Sequence, residues 1–154
     1  MPKINLTTAP VGSGTRYPAP FDQVCIKRRW QQLGMAAGLT QFGVNLLHLP
    51  PGVWSSQRHW HMHEDEFVYV LSGELVLVTD QGEEVMRAGD AAGFKAGDRN
   101  GHCLQNRSSQ DATVLVVGTR DNKDYGEYSD IDMRFLPDHY SGAGGYQHKD
   151  GTPY

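Results

Sequence analysis

The sequence predicts an all-β barrel or sandwich built as one domain. Three observations carry this. Short β-rich runs alternate with turn signals from Gln41 onward, over about 80 residues. No strong helical periodicity interrupts them. A chain of 154 residues is long enough for a single domain with a real core.

The runs follow in order. Phe42 to Leu49 is stopped by Pro50-Pro51-Gly52, and Val53 to His63 by Glu64-Asp65. Glu66 to Leu71 ends at Ser72-Gly73, and Glu74 to Thr79 at Asp80-Gln81-Gly82. Glu83 to Arg87 precedes Ala88-Gly89-Asp90, and Ala92 to Lys95 precedes Ala96-Gly97-Asp98. Gly101 to Asn106 and Ala112 to Thr119 complete the set. Runs of this length and spacing close into barrels or stack as sandwiches.

The flanks read differently. Met1 to Phe21, rich in Thr, Pro and Gly, predicts an extended arm, and Arg28 to Ala37 a short helix weakened by Gly34. Asp121 to Tyr154 is polar and tyrosine-rich and predicts an irregular arm lying on the barrel or on a partner. The division is therefore an arm over 1–37, a barrel over 38–120 and an extension over 121–154.

Charge excludes some functions. The 14 Lys and Arg against 18 Asp and Glu leave no basic footprint for nucleic acid. The longest apolar run, Phe67 to Leu71, is far short of a membrane span. Met1 to Val11 lacks a signal-peptide core, and two cysteines, Cys25 and Cys103, make no disulfide framework. The expected compartment is the cytoplasm.

The chemistry concentrates in His59-Trp60-His61-Met62-His63-Glu64-Asp65-Glu66. On a strand, residues two apart share a face and sit roughly 7 Å apart, so alternate imidazoles can converge on one ion. A carboxylate from the next strand completes a mixed N/O site suited to Fe, Mn, Co, Ni, Cu or Zn. Neither a Gly-x-Ser-x-Gly elbow nor a phosphate-cradling Gly-rich loop occurs.

Two stretches then resemble the motifs of the cupin superfamily. The first is Gly52, His59-x-His61, four residues, Glu66, six residues, Gly73. The second is Gly89, five residues, Lys95-Ala96-Gly97, four residues, His102, three residues, Asn106. Lys95 stands where the motif has proline. The Gly52–His59 spacer is one residue longer than the motif's and the Gly97–His102 spacer two longer. None of these departures removes a ligand.

The resemblance implies a double-stranded β-helix, the cupin jelly-roll barrel, with extended N-terminal arm and C-terminal extension. It implies one divalent metal ion on His59, His61, Glu66 and His102. A set of His61, His63 and Glu66 is the alternative, and spacing to the glutamate favours the first. Three imidazoles and one carboxylate leave two positions open on an octahedral ion, as a catalytic metal needs. The implied activities are those of a metal-dependent enzyme on a small oxygenated metabolite: sugar-phosphate isomerase-like, dioxygenase-like or decarboxylase-like. The alternative is a non-catalytic small-molecule-binding module, a sensor or storage protein. The expected partners are that small molecule and a second copy of the chain in a homodimer. No catalytic base is nameable from the sequence.

Strand parity assigns the remaining residues. Val68 and Val70 point inward with Glu66. Asn106 shares inward parity with His102 and, as the resemblance implies, ties a turn; Cys103 is inert, Arg58 pairs with surface acids, and Trp54 and Trp60 pack. Arg99 and Asn100 line the mouth. His48, His139 and His148 have no assignable partner.

Overall fold

A computed structural model describes residues 3–154. The large sheet is antiparallel and runs β1 (Val11–Ser13), β2 (Arg29–Gln32), β3 (Phe42–Leu49), β9 (Ala112–Thr119), β4 (Glu66–Ser72), β7 (Ala91–Phe94). The smaller facing sheet runs β6 (Gly82–Arg87), β5 (Glu74–Thr79), β8 (Cys103–Gln105). This is the double-stranded β-helix.

Alternation drives the packing. Leu47 and Leu49 of β3, Val68 and Val70 of β4, Ala112 and Val114 of β9, and Leu75 and Leu77 of β5 are all buried. With Val53, Met86 and Leu104 they form one core between the sheets. A strand sends every second side chain to that space, so a one-residue slip would expose the whole set. Register stacks the inward residues in layers. Leu47, Val114 and Val70 align across β3, β9 and β4, then Asn45, Val116 and Val68, then Gly43, Gly118 and Glu66. The apolar layers thus give way to small and polar residues at the end that carries Glu66.

Most of the predicted strands are present, and β9 has the bounds read from the sequence. The run Val53 to His63 is a correction: it holds no continuous strand. It touches β8 and its approach at two bridges, Trp54 with Gln105 and His59 with His102. Between them this run advances five residues while its partner advances three, a two-residue bulge that breaks the ladder.

The flanks also need correcting. Within the predicted arm, Val11–Ser13 forms β1, which pairs with β2 and extends the large sheet. The predicted helix over Arg28 to Ala37 is instead β2 followed by one turn of helix, α1 (Leu33–Ala36). Packing of Trp30 against the core and pairing of β2 with β3 outweigh the weak helical signal there. The C-terminal extension is not wholly irregular: β10 (Gly126–Glu127), β11 (Arg134–Phe135) and β12 (Tyr146–Gln147) form a small antiparallel sheet. Its own core is Tyr128, Met133 and Phe135, with Tyr17, Phe21, Ile131 and Tyr146 against it. No helix among the described residues is long and apolar enough to cross a membrane.

Asn106 has the turn-tying role expected of it. It is fully buried, and its Nδ2 donates to the carbonyls of Leu49 (2.7 Å) and Gln110 (2.8 Å). Its Oδ1 accepts from the Ser108 amide and hydroxyl. Asn106→Ala orphans these groups and should cost about 2–4 kcal/mol in urea unfolding. A loss below the error of the measurement would rule this role out.

Candidate metal centre

The bulge aims the first two histidines. His59 N and His102 N each donate to the other's carbonyl, at 3.2 and 2.9 Å, which sets the two rings side by side. On the other edge of the run, the extension docks: Trp60 N donates to Glu127 O, and Met62 N to Tyr125 O. The contact is so close at Gly126 that a Cβ there would lie 1.8 Å from the Trp60 carbonyl oxygen. Glu66 enters as the first residue of β4, and His102 just precedes β8.

These elements bring the donor atoms of His59, His61 and Glu66 within 4.8 Å of one another. His102 joins through Glu66, its Nε2 lying 3.0 Å from Glu66 Oε2. The His102 ring stacks on Phe94 at 3.5 Å, and its buried Nδ1 has no hydrogen-bond partner among the described residues. His63 stays outside the cluster. Its amide donates to Asp124 Oδ1 (2.8 Å), and its ring lies near Tyr125.

Hydrogen bonds define the tautomers. His59 Nδ1 is 2.9 Å from the Gln57 carbonyl, so Nδ1 carries the proton and Nε2 a lone pair. His61 Nδ1 is 2.6 Å from Asp124 Oδ2, so it too donates from Nδ1. The two Nε2 atoms then face each other at 3.1 Å as two acceptors. Such an arrangement calls for a proton or a metal cation between them, and the nearby Glu66 carboxylate adds negative charge. On this observation the donor set fits a divalent ion, and imidazoles oriented by a carboxylate or carbonyl are the usual form of a metal-bound histidine.

The electrostatics of the three groups differ. Burial, then the neighbouring His61 and His102, pulls the His59 pKa down to about 3, which keeps its ring neutral and able to coordinate. Burial opposes charge on His61, but the Asp124 hydrogen bond and the carboxylates of Glu66 and Glu64 outweigh it and raise its pKa. Burial likewise opposes charge on Glu66, and the surrounding histidines outweigh it, holding the carboxyl low.

Sequence reasoning missed what the extension supplies. Asp124 has no exposed surface, and Phe135 packs its ring 5.1 Å from that of His61. Tyr140 Oη donates to Glu64 Oε2, while Glu64 Oε1 accepts from the Asp121 amide at 2.7 Å. His61, Glu64 and Asp124 form a second cluster of possible ligands, but protein donors already engage both carboxylates. The buried position of Glu64 was hidden because its neighbours in sequence, Asp65 and Glu66, make the stretch read as an acidic turn.

The other assignments resolve simply. Arg58 forms a two-pronged pair with Asp130 and also reaches Asp80. Burial pushes the Cys103 thiol up to about 11, so it is inert near neutral pH. Trp60 is buried with Arg99 over its ring, and Asn100 ties Asp80 to Gln81. His48 meets Thr113 Oγ1, His148 pairs with Asp132, and His139 stacks near Phe135 and Tyr140.

A cavity of about 280 Å³ opens on the cluster, walled by His59, His61, Glu64, Glu66, His102 and Tyr140 among others.

With this geometry in place, the comparisons are direct. The family model described as a cupin domain matches residues 45–118. A solved protein from Silicibacter pomeroyi, described as a sugar phosphate isomerase from a cupin superfamily, is 47% identical. The match covers 99% of this chain and 96% of that one, with a TM-score of 0.94. The chain belongs to the cupin superfamily. A second solved protein, from Acidithiobacillus ferrooxidans and given a provisional sugar phosphate isomerase name, is 28% identical. That match covers 83% of this chain and 80% of the other, with a TM-score of 0.74. The polyketide cyclase RemF from Streptomyces resistomycificus shares the fold alone, at 22% identity and a TM-score of 0.64, over 79% of this chain and 80% of that one. No curated protein sequence matches the chain.

Asp124→Asn removes the charge that orients His61 and leaves a donor where an acceptor is needed. Divalent-ion affinity, measured by competition against a chelator, should fall about 10–100-fold with the fold intact by circular dichroism. Native affinity in the variant would remove Asp124 from the site.

Proposed function

We propose that this protein is a metal-dependent isomerase of a small phosphorylated sugar, with the ion held by His59, His61, Glu66 and His102. The observation that carries the reading is the near-full-length, 47% identical relative described as a sugar phosphate isomerase. The paired lone pairs of His59 and His61 beside Glu66 support the ion.

When bound, the metal supplies a Lewis acid that polarises a substrate carbonyl and its neighbouring hydroxyl. The protein supplies the rest. Glu64 lines the cavity, its carboxylate 3.9 Å from His61 Nδ1, and burial raises its pKa. It takes the proton from the hydroxyl-bearing carbon of an aldose and returns it to the former aldehyde carbon. The hydroxyl proton passes between the two oxygens, and the product is the ketose. Tyr140 holds the carboxylate in place through its hydroxyl. Phe94, Phe135 and Val68 give the site dry walls.

The same reading includes a homodimer. Phe67, Tyr69 and Leu71 are 44%, 38% and 46% exposed on the outer face of β4, a run of large apolar side chains on one sheet surface. Leu115 and Val117 of β9 lie in register beside Tyr69 and Phe67. A second copy packed sheet to sheet covers them.

Two measurements test this. Metal-loaded protein in D₂O with aldose and ketose phosphates should interconvert them, and proton NMR should show solvent deuterium at the carbons flanking the carbonyl. Glu64→Gln should lower kcat about 10²–10⁴-fold at unchanged metal content. Absence of both interconversion and exchange, across phosphorylated trioses to hexoses, would sink the isomerase. Light scattering should give twice the chain mass for the native protein and the chain mass for Leu71→Asp; a monomeric native protein would refute the dimer.

A further inference from the structure

We propose that Arg120 is the phosphate-binding residue of this cavity, anchoring the end of the substrate remote from the metal. This rests on the sugar-phosphate reading and deepens it.

Two arginines line the cavity, and they differ. Arg28 is engaged: its Nε donates to the Gly14 carbonyl at 2.8 Å, and its Nη1 to the Ser55 carbonyl. It straps the β1–β2 hairpin to the bulged run. Arg120 sits just past β9 and has no carboxylate partner among the described residues. An exposed arginine without a partner is ordinary on a surface. Two features separate this one from a solvated side chain.

The first is a cradle. A Cβ on Gly43 would lie 2.2 Å from Arg120 Nη2 and 2.6 Å from Cζ, so the guanidinium occupies the space that a side chain on β3 would fill. The second is a shelf. The guanidinium carbon lies 4.0 Å from the centre of the Tyr140 ring. Tyr140 is itself held by Glu64, and the Arg16 Nη2 donates to the adjacent His139 carbonyl at 2.7 Å. Cradle and shelf hold the planar fork against the cavity wall, which limits the rotamer freedom lost on binding.

Position completes the argument. Gly43, Gly118 and Glu66 lie in register across three neighbouring strands. Strand spacing sets Gly43 and Glu66 about 10 Å apart. One end of the cavity thus carries the donor cluster and the other an uncompensated guanidinium. A short sugar phosphate in extended form has this polarity, with vicinal oxygens at one end and a dianion at the other. Planar guanidinium recognises phosphate through paired hydrogen bonds.

The test uses full-length protein and inorganic phosphate, followed by calorimetry, beside steady-state kinetics on sugar phosphates. Native protein should bind phosphate, and Arg120→Gln should weaken it about tenfold or more, as loss of a charge-assisted hydrogen-bonded pair requires. KM for the phosphorylated sugar should rise in parallel while kcat changes little, the pattern of lost uniform binding. Gly43→Ala keeps the charge but displaces the guanidinium, and should weaken phosphate in the same direction. Native protein that does not bind phosphate, or Arg120→Gln that binds it as tightly, overturns the assignment. Turnover with an unchanged KM in Arg120→Gln also overturns it, and leaves the isomerase standing. Phosphate binding lost in Arg120→Gln, with no sugar phosphate turned over by native protein, supports the subsite and refutes the isomerase.

Discussion

The hydrogen bond from His61 Nδ1 to Asp124 Oδ2 joins two parts of the chain that are 63 residues apart. Asp124 is wholly buried and accepts a second bond from the His63 amide. A buried carboxylate is tolerated only when its oxygens are satisfied, so these two bonds are a condition of the extension folding where it does. In return the carboxylate sets which nitrogen of His61 carries the proton. That choice turns Nε2 toward His59 as a lone pair. The donor cluster, its charge and its demand for a cation all follow from this contact.

The barrel itself depends on simpler physics. Period-two alternation builds a core of aliphatic residues from both sheets, and the same alternation was legible in the sequence. The turn signals at Pro50-Pro51-Gly52, Ser72-Gly73 and Asp80-Gln81-Gly82 bound their strands because each breaks extended pairing locally. Glu66, Val68 and Val70 share an inward face, as parity required. What was not legible was the run from Val53 to His63. Its composition is that of a strand, but its partner strand is shorter by two residues between the bridges. A mismatch between two distant segments leaves no local mark in either. The longer Gly52–His59 spacer was its only trace.

The candidate site divides along the same line. His59, His61 and Glu66 lie together with His102 against Glu66, although the continuous strand whose parity suggested this is absent. The residues that orient and enclose them were not found, because they come from the extension. Asp124, Phe135 and Tyr140 stand among polar residues and glycines without periodicity, and their roles depend on docking rather than on neighbours in sequence. Glu64 shows the reverse error. Placed beside two other acids, it reads as solvated, yet it is buried because Tyr140 and the Asp121 amide meet it.

The docking of the extension against the bulged run sets an order of events for a chain under synthesis. The barrel strands end at Thr119, so the barrel can close before the extension emerges. His61 has neither its flanking backbone bonds to Glu127 and Tyr125 nor a carboxylate to choose its tautomer until the extension is seated. Phe135 and Tyr140 follow later still. The centre is therefore complete only when the extension is docked, because the barrel strands alone carry none of Asp124, Phe135 and Tyr140.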